Sequence, residues 1–269
     1  MPIIHANGID QEYEWHSIEG STQIPIALVA GMGGSRSYWK PQISDFAKNH
    51  PVLAYDQRGT GGSAAIKVES IEQLAMDFIG LLDALKLEKV HFVGHSTGGA
   101  IGQVIAIRYP ERLASLVLYA SVHKADHYRH RVWGLRKQIL EAMGPEIYAK
   151  TTSLFFYPPE FTNAHHEELL AVEARTAQFE LSSPEIMGSR IESILQFDVA
   201  ADLGKIKTPT LVICSEDDLL TPAYFSQEMA TLIPNAKLVL FQKGGHAYSR
   251  SNPEQFNQLV LDFIDQHAQ

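Results

Sequence analysis

The stretch Gly94-His95-Ser96-Thr97-Gly98 sets a serine between two glycines, each two residues away. The apolar run 90–93 before it reads as a buried strand, and residues 100–109 after it read as a helix. A serine at such a strand–turn–helix junction sits on a turn so sharp that its hydroxyl is pushed out at the end of the sheet. Side chains at 94 or 98 would collide with the crossing strand and helix, so glycine fits both places. The chemistry on offer is nucleophilic attack by Ser96 on an acyl carbon. A serine hydroxyl is a weak nucleophile at neutral pH; it needs a base, and the base needs an acid to orient it.

Candidates for both partners occur downstream. Ser215-Glu216-Asp217-Asp218-Leu219-Leu220-Thr221-Pro222 follows the apolar run 210–214, and Gly244-Gly245-His246-Ala247 follows the run 237–241. Both segments are then loops at the carboxyl ends of strands, where open parallel sheets place their ligands. His246 is the expected base. Asp217 and Asp218 are adjacent, and only one of them can face His246; the other is expected to be a solvated loop charge. The oxyanion formed on attack needs two backbone donors. The N–H of Thr97, at a helix N-terminus, is one. Met32, in the Gly31-Met32-Gly33-Gly34 loop after the run 24–30, supplies the other. That loop lacks the Lys-Ser/Thr of a P-loop and the spacing of a dinucleotide fingerprint, so it does not read as a phosphate cradle.

The elements that must position these groups alternate along the chain. Residues 12–18 alternate in polarity and suit an early antiparallel strand. Short apolar runs at 24–30, 52–55, 90–93, 113–120, 210–214 and 237–241 read as strands. Helical segments are expected at 38–49, 70–85 with Ser70 as cap, 100–109, 223–232, and from Pro253 to about His267. Continuous apolar strands alternating with helices predict an α/β fold with a mostly parallel sheet covered on both faces. Residues 122–197 break the rhythm. They carry four helix-like pieces, near 128–143, 146–155, 164–179 and 184–196, and no clear strand. They read as a helical lid (cap) inserted after the sixth strand, with residues 1–121 and 198–269 forming the core.

Composition bounds the function classes. The chain has 269 residues, 45% hydrophobic and 20% charged, with 22 basic and 31 acidic side chains and a net charge of −9. That balance argues against nucleic acid or an anionic membrane as the main partner. The first residues lack a basic region followed by an apolar one, so no signal peptide is expected, and no apolar stretch reaches the length of a membrane span. The single cysteine, Cys214, lies within an apolar run and reads as a buried core thiol. These features predict a cytoplasmic protein acting on a small-molecule acyl substrate, with monomer and homodimer both open. His123, His127 and His130 fall on one face if their segment is helical, a spacing that suits a metal. No metal-enzyme motif accompanies them and Lys124, Arg129 and Arg131 surround them, so no metal and no cofactor is expected. The same basic cluster suits a carboxylate-bearing substrate. Trp133, Phe155, Phe156 and Tyr157 are expected on the apolar side of the lid.

With these residues in place, the chain resembles the α/β-hydrolase superfamily over essentially its whole length. Asp56-Gln57-Arg58-Gly59-Thr60-Gly61-Gly62-Ser63 resembles the superfamily's D-x-R-G-x-G-x-S loop after the fourth strand. Patches at Ser37-Tyr38-Trp39, Pro41-Gln42, 55–61, Phe156-Tyr157-Pro158, 217–220 and 244–247 look closest to the aminoacrylate hydrolases of pyrimidine utilisation. The 3-oxoadipate enol-lactonases share much of that pattern. The resemblance implies an α/β-hydrolase fold with an eight-stranded sheet, a Ser-Asp-His triad, and hydrolysis of a small carboxylic ester or lactone. An aminoacrylate, a carbamate or amide, or a C–C bond are alternative targets of the same triad; a ligand receptor on the same scaffold is a further alternative. It also implies that Asp218, four residues before the proline, is the acid. Ala30 stands where many relatives carry histidine. Serine at position 96 separates the chain from the branches that carry aspartate there, the haloalkane dehalogenases and epoxide hydrolases.

Overall fold

The computed structural model describes residues 1–267. Eight strands form one sheet in the order β1-β2-β4-β3-β5-β6-β7-β8. They are β1 (Ile3–Ala6), β2 (Ile9–His16), β3 (Ile26–Val29), β4 (Val52–Tyr55), β5 (Val90–His95), β6 (Leu113–Tyr119), β7 (Thr210–Ser215) and β8 (Lys237–Phe241). β2 runs antiparallel to β1 and β4; all other neighbours are parallel. Strands β3, β4, β5 and β7 are buried along their whole length, as covering on both faces requires.

The helices that cover the sheet form for local reasons. In α2 (Ile71–Ala84) the Ser70 hydroxyl accepts the Gln73 N–H at 3.1 Å, and Ile71, Leu74, Phe78, Leu81 and Leu82 repeat at helical spacing on the buried side. α10 (Pro253–Asp265) opens on proline and buries Phe256, Val260, Phe263 and Ile264. α2, α3 (Thr97–Arg108) and α8 (Ala223–Leu232) pack against one face of the sheet through Phe78, Leu81, Phe92, Ile101 and Phe225. α1 (Lys40–Phe46) and α10, which follows the single turn α9 (Tyr248–Ser251), cover the other through Phe46, Phe256 and Phe263.

From β3 the chain steps to β4 on one side, then crosses back to β5 on the other. The strand order reverses between β3 and β5, so a crevice opens at their carboxyl ends. The loops carrying Met32 and Ser96 flank it.

Several expected boundaries move. The early antiparallel strand covers Ile9–His16 rather than 12–18, and it pairs with an edge strand, β1, that the polarity pattern did not mark. The helix expected at 38–49 is a 3₁₀ turn, Arg36–Trp39, followed by the short α1. Between β6 and β7 the chain is helical. α4 (His127–Phe156) runs through both of the first two expected helices, interrupted at Gly144 (φ 79°, ψ 179°) and Pro145. α5 (Pro159–Ala164) is additional, and α6 (His166–Arg175) runs into a π turn, Thr176–Glu180, before α7 (Pro184–Leu195). No helix of the described residues is long and apolar enough to cross a membrane.

Candidate active site

Ser96 joins β5 to α3 with φ 53° and ψ −114°, a strained region for a residue with a Cβ. Its backbone is clamped on both sides. The Ser96 N–H donates to the Tyr119 carbonyl at 2.8 Å, and the Ser121 hydroxyl donates to the Ser96 carbonyl at 2.8 Å. A Cβ at Gly94 would stand 2.5 Å from the Gly98 carbonyl oxygen, and one at Gly98 would stand 2.2 Å from that of Val29. Glycine at both positions is therefore a steric requirement of the turn.

The structure separates the two aspartates. Asp218 Oδ2 lies 2.8 Å from His246 Nδ1, with both side chains buried. Asp218 Oδ1 accepts the N–H of Leu220 at 2.8 Å and of Thr221 at 2.9 Å. The Thr221 hydroxyl lies 2.7 Å from Oδ2 and 2.9 Å from the Ala120 carbonyl, and its one proton serves one of them. An ionised carboxylate only accepts, so this network assigns the proton of neutral His246 to Nδ1 and leaves the Nε2 lone pair free. Asp217 is not a solvated charge. It accepts the N–H of Gly244 at 3.2 Å and of Gly245 at 2.9 Å, bracing the loop that carries His246.

His246 is also held from below. Its carbonyl accepts from His95 Nε2 at 3.0 Å and from the Tyr119 hydroxyl at 3.0 Å. Burial, and the nearby His246, hold His95 well below the usual imidazole range, so it stays neutral with its proton on Nε2. Its ring stacks on Tyr38 at 4.3 Å. Cys214 is buried beside Asp218, its Sγ 3.9 Å from Oδ2; burial and that carboxylate push the thiol well up.

The loop after β3 is fixed by two side chains that no motif singles out. Gln57 donates to the Ala30 carbonyl at 2.7 Å. Arg190, on α7, donates from Nε to the Met32 carbonyl at 2.9 Å, from Nη1 to the Arg58 carbonyl at 2.7 Å, and from Nη2 to Gln57 Oε1 at 2.6 Å. Arg190 is fully buried, which lowers its pKa to about 10; it remains charged at neutral pH. The D-x-R-G loop is thus more than a turn, since its Gln57 relays a helix of the insertion to the Ala30 carbonyl. The Met32 N–H has no hydrogen-bond partner among the described residues. The Thr97 N–H begins α3 and has no carbonyl within the helix to reach.

Met32, Ser96 and His246 line one cavity of about 120 Å³ together with Trp133, Arg136 and Tyr148 from the helical segment between β6 and β7. Phe156 and Tyr157 line it too, whereas Phe155 lies against Arg136. The three histidines do not assemble. α4 starts only at His127, so His123 lies outside it, buried, 3.2 Å from Glu228 Oε2, while His127 and His130 are exposed. Of the basic cluster, Arg131 is exposed and Lys124 half-buried, whereas Arg129 is buried and donates from Nη1 to the Leu220 carbonyl in the loop that carries Asp218.

The sheet, the sharp turn at Ser96 and the cavity together define the class: the chain belongs to the α/β-hydrolase fold family, whose model matches residues 24–249. It is 39% identical to a protein named "Putative carbamate hydrolase RutD" from Azorhizobium caulinodans, covering 99% of this chain and 100% of that one. A protein of the same name from Stutzerimonas stutzeri is 38% identical, with 94% and 96% covered. Among solved structures, the enol-lactonase from Burkholderia xenovorans LB400 superposes with a TM-score of 0.91 at 27% identity, over 98% of this chain and 100% of that one.

Proposed function

We propose that this chain is a serine hydrolase that cleaves a small carboxylic ester, lactone or related acyl compound through an acyl-enzyme. The supporting observation is that His246, paired with the buried Asp218, lines the same cavity as Ser96, which is held on a strained turn. In this reading His246 Nε2 takes the Ser96 proton as Oγ bonds to the acyl carbon. The N–H groups of Met32 and Thr97 stabilise the oxyanion. The tetrahedral adduct collapses, the bond to the leaving oxygen breaks, and His246 returns the proton to it. Water, deprotonated by His246, then attacks the acyl-Ser96 ester; the acyl–Oγ bond breaks, the acid leaves, and His246 returns the proton to Ser96 Oγ. The helical insertion acts as the lid that roofs this reaction and shapes substrate choice.

A carbamate ester is the second reading, favoured by the names of the sequence relatives. The same attack would leave a carbamoyl rather than an acyl group on Ser96, and the mass of the trapped intermediate separates the two.

A fluorophosphonate probe is expected to label the protein once, at Ser96, as read by peptide mass spectrometry, and p-nitrophenyl acetate is expected to be hydrolysed. Labelling elsewhere, or neither labelling nor turnover, would overturn the assignment.

Arg190 supplies a second check. Arg190→Met removes three charge-assisted bonds and frees the loop that carries the Met32 donor. Losing an oxyanion donor outright costs about 3 kcal/mol, so partial misplacement is expected to lower kcat about tenfold with little change in KM. The stranded carbonyls are expected to cost about 2 kcal/mol of stability. A lowered melting temperature with unchanged kcat would leave Arg190 a purely structural clasp.

A further inference from the structure

Among the described residues four arginines are buried: Arg58, Arg129, Arg136 and Arg190. Arg58 forms a two-bond pair with Asp77, at 2.6 and 2.7 Å. Arg190 spends all three nitrogens on oxygen acceptors. Arg129 leaves Nε unpartnered, but it feels the negative charges of Asp218 and Asp126. Arg136 differs. Its Nη2 donates to the Thr152 hydroxyl at 2.8 Å, while Nε and Nη1 have no acceptor. Among the described residues no carboxylate pairs with it.

Its surroundings are built rather than accidental. The guanidinium carbon lies over the rings of Tyr148 at 4.5 Å, Phe155 at 5.1 Å and Trp133 at 5.2 Å. Ring faces attract the cation and shut out water, but they accept none of its in-plane N–H bonds. A buried guanidinium with unspent donors and no counter-charge is costly, and an anion with two oxygens relieves that cost. Arg136 lines the cavity that holds Ser96 and His246.

We propose that Arg136 is the recognition site for a carboxylate carried by the substrate, away from the bond that is cleaved. The assignment builds on the reading of Ser96 as nucleophile and narrows its substrate to a small acyl compound bearing a free carboxylate, such as the half-ester of a short dicarboxylic acid. The carboxylate sits in the aromatic box and turns the acyl carbon toward Ser96. Glu173 and Glu180 also line the cavity. Glu180 is engaged by Arg175 at 3.1 Å and Ser37 at 2.8 Å; Glu173 is the competitor for Arg136 that the test must exclude.

The test has two arms. In the first, Ser96→Ala protein is titrated with monomethyl succinate and with dimethyl succinate, following intrinsic tryptophan fluorescence and heat. The monoester is expected to bind saturably and the diester at least about tenfold more weakly, with Arg136→Gln in the same background abolishing the preference. In the second, p-nitrophenyl hemisuccinate is compared with p-nitrophenyl butyrate. Arg136→Gln is expected to lower kcat/KM for the charged ester about 10- to 100-fold and for the neutral one less than threefold, with Arg136→Lys in between. Equal binding of mono- and diester, or an unchanged ratio of the two esters in Arg136→Gln, overturns the carboxylate assignment and leaves the hydrolase reading standing. Arg136-dependent anion binding without turnover of either ester does the reverse. If Arg136→Gln does not fold, the monoester–diester comparison in Ser96→Ala decides alone: no preference for the monoester, as when Glu173 already neutralises Arg136, overturns the proposal.

Discussion

Replacing Ser96 by alanine is expected to lower kcat for p-nitrophenyl acetate by a factor on the order of 10⁶, the scale seen when a serine nucleophile is removed from a working triad. The fold is expected to survive. The Ser96 side chain makes no hydrogen bond that holds the turn, and its backbone is clamped through Tyr119 and Ser121. Alanine retains the Cβ that the turn already accommodates at φ 53°. The measurement is a paired comparison of initial rates and thermal melts. Residual catalysis over water should persist at about 10³-fold, because the proposed oxyanion donors belong to the backbone and remain in place. Turnover near the wild-type rate would sink the mechanism; a collapsed melt would show that the elbow needs its hydroxyl.

Asp218→Asn is expected to cost about 10⁴ in kcat, and the structure says why. Asp218 Oδ1 is held by two backbone donors, from Leu220 and Thr221. An asparagine at this position must give its oxygen to those donors, which turns its NH₂ toward His246 Nδ1. Nδ1 then becomes the acceptor, the ring proton moves to Nε2, and His246 can no longer take the Ser96 proton. Imidazole nitrogen shifts by NMR should report that tautomer change. Asp217→Asn, one residue away, is expected to cost less than about tenfold, since it loses only one of the two bonds that brace Gly244 and Gly245. Equal losses at both positions would mean that loop integrity, rather than imidazole orientation, limits the rate.

How much of this was legible in the chain follows from the range of the interactions involved. Ser96 and His246 carry local signatures, because glycines two residues from the serine and just before the histidine answer to steric demands within a few residues. The alternation of apolar runs with amphipathic stretches likewise exposes the sheet, because burial on both faces leaves its mark on every strand. The choice between Asp217 and Asp218 has no such signature. It depends on which carboxylate the turn at Leu220 and Thr221 points inward, and on what the two glycine N–H groups need. Arg190 and Arg136 are less visible still. Each is a lone arginine in a helix, and its meaning comes from partners far away in sequence: Met32 and Gln57 for one, a box of three aromatic rings for the other. The three histidines do not share one helical face because the helix begins only at His127, leaving His123 in the preceding loop against Glu228. The edge strand β1 escaped notice because Ile3 is largely exposed, so the polarity pattern that marks a half-buried strand is blurred there.

The clasp made by Arg190 has a consequence for how such a protein can diverge. Because three bonds from α7 end on Met32, Arg58 and Gln57, the insertion is not an exchangeable cassette set on a finished scaffold. If the segment is the proposed lid, recombining it with that of another family member trades specificity and, unless the incoming segment brings an equivalent arginine, also unfastens the neighbouring loop. New substrate ranges are then more accessible to point changes that leave position 190 alone than to wholesale replacement of the segment, and modularity at the level of architecture conceals a dependence at the level of single hydrogen bonds.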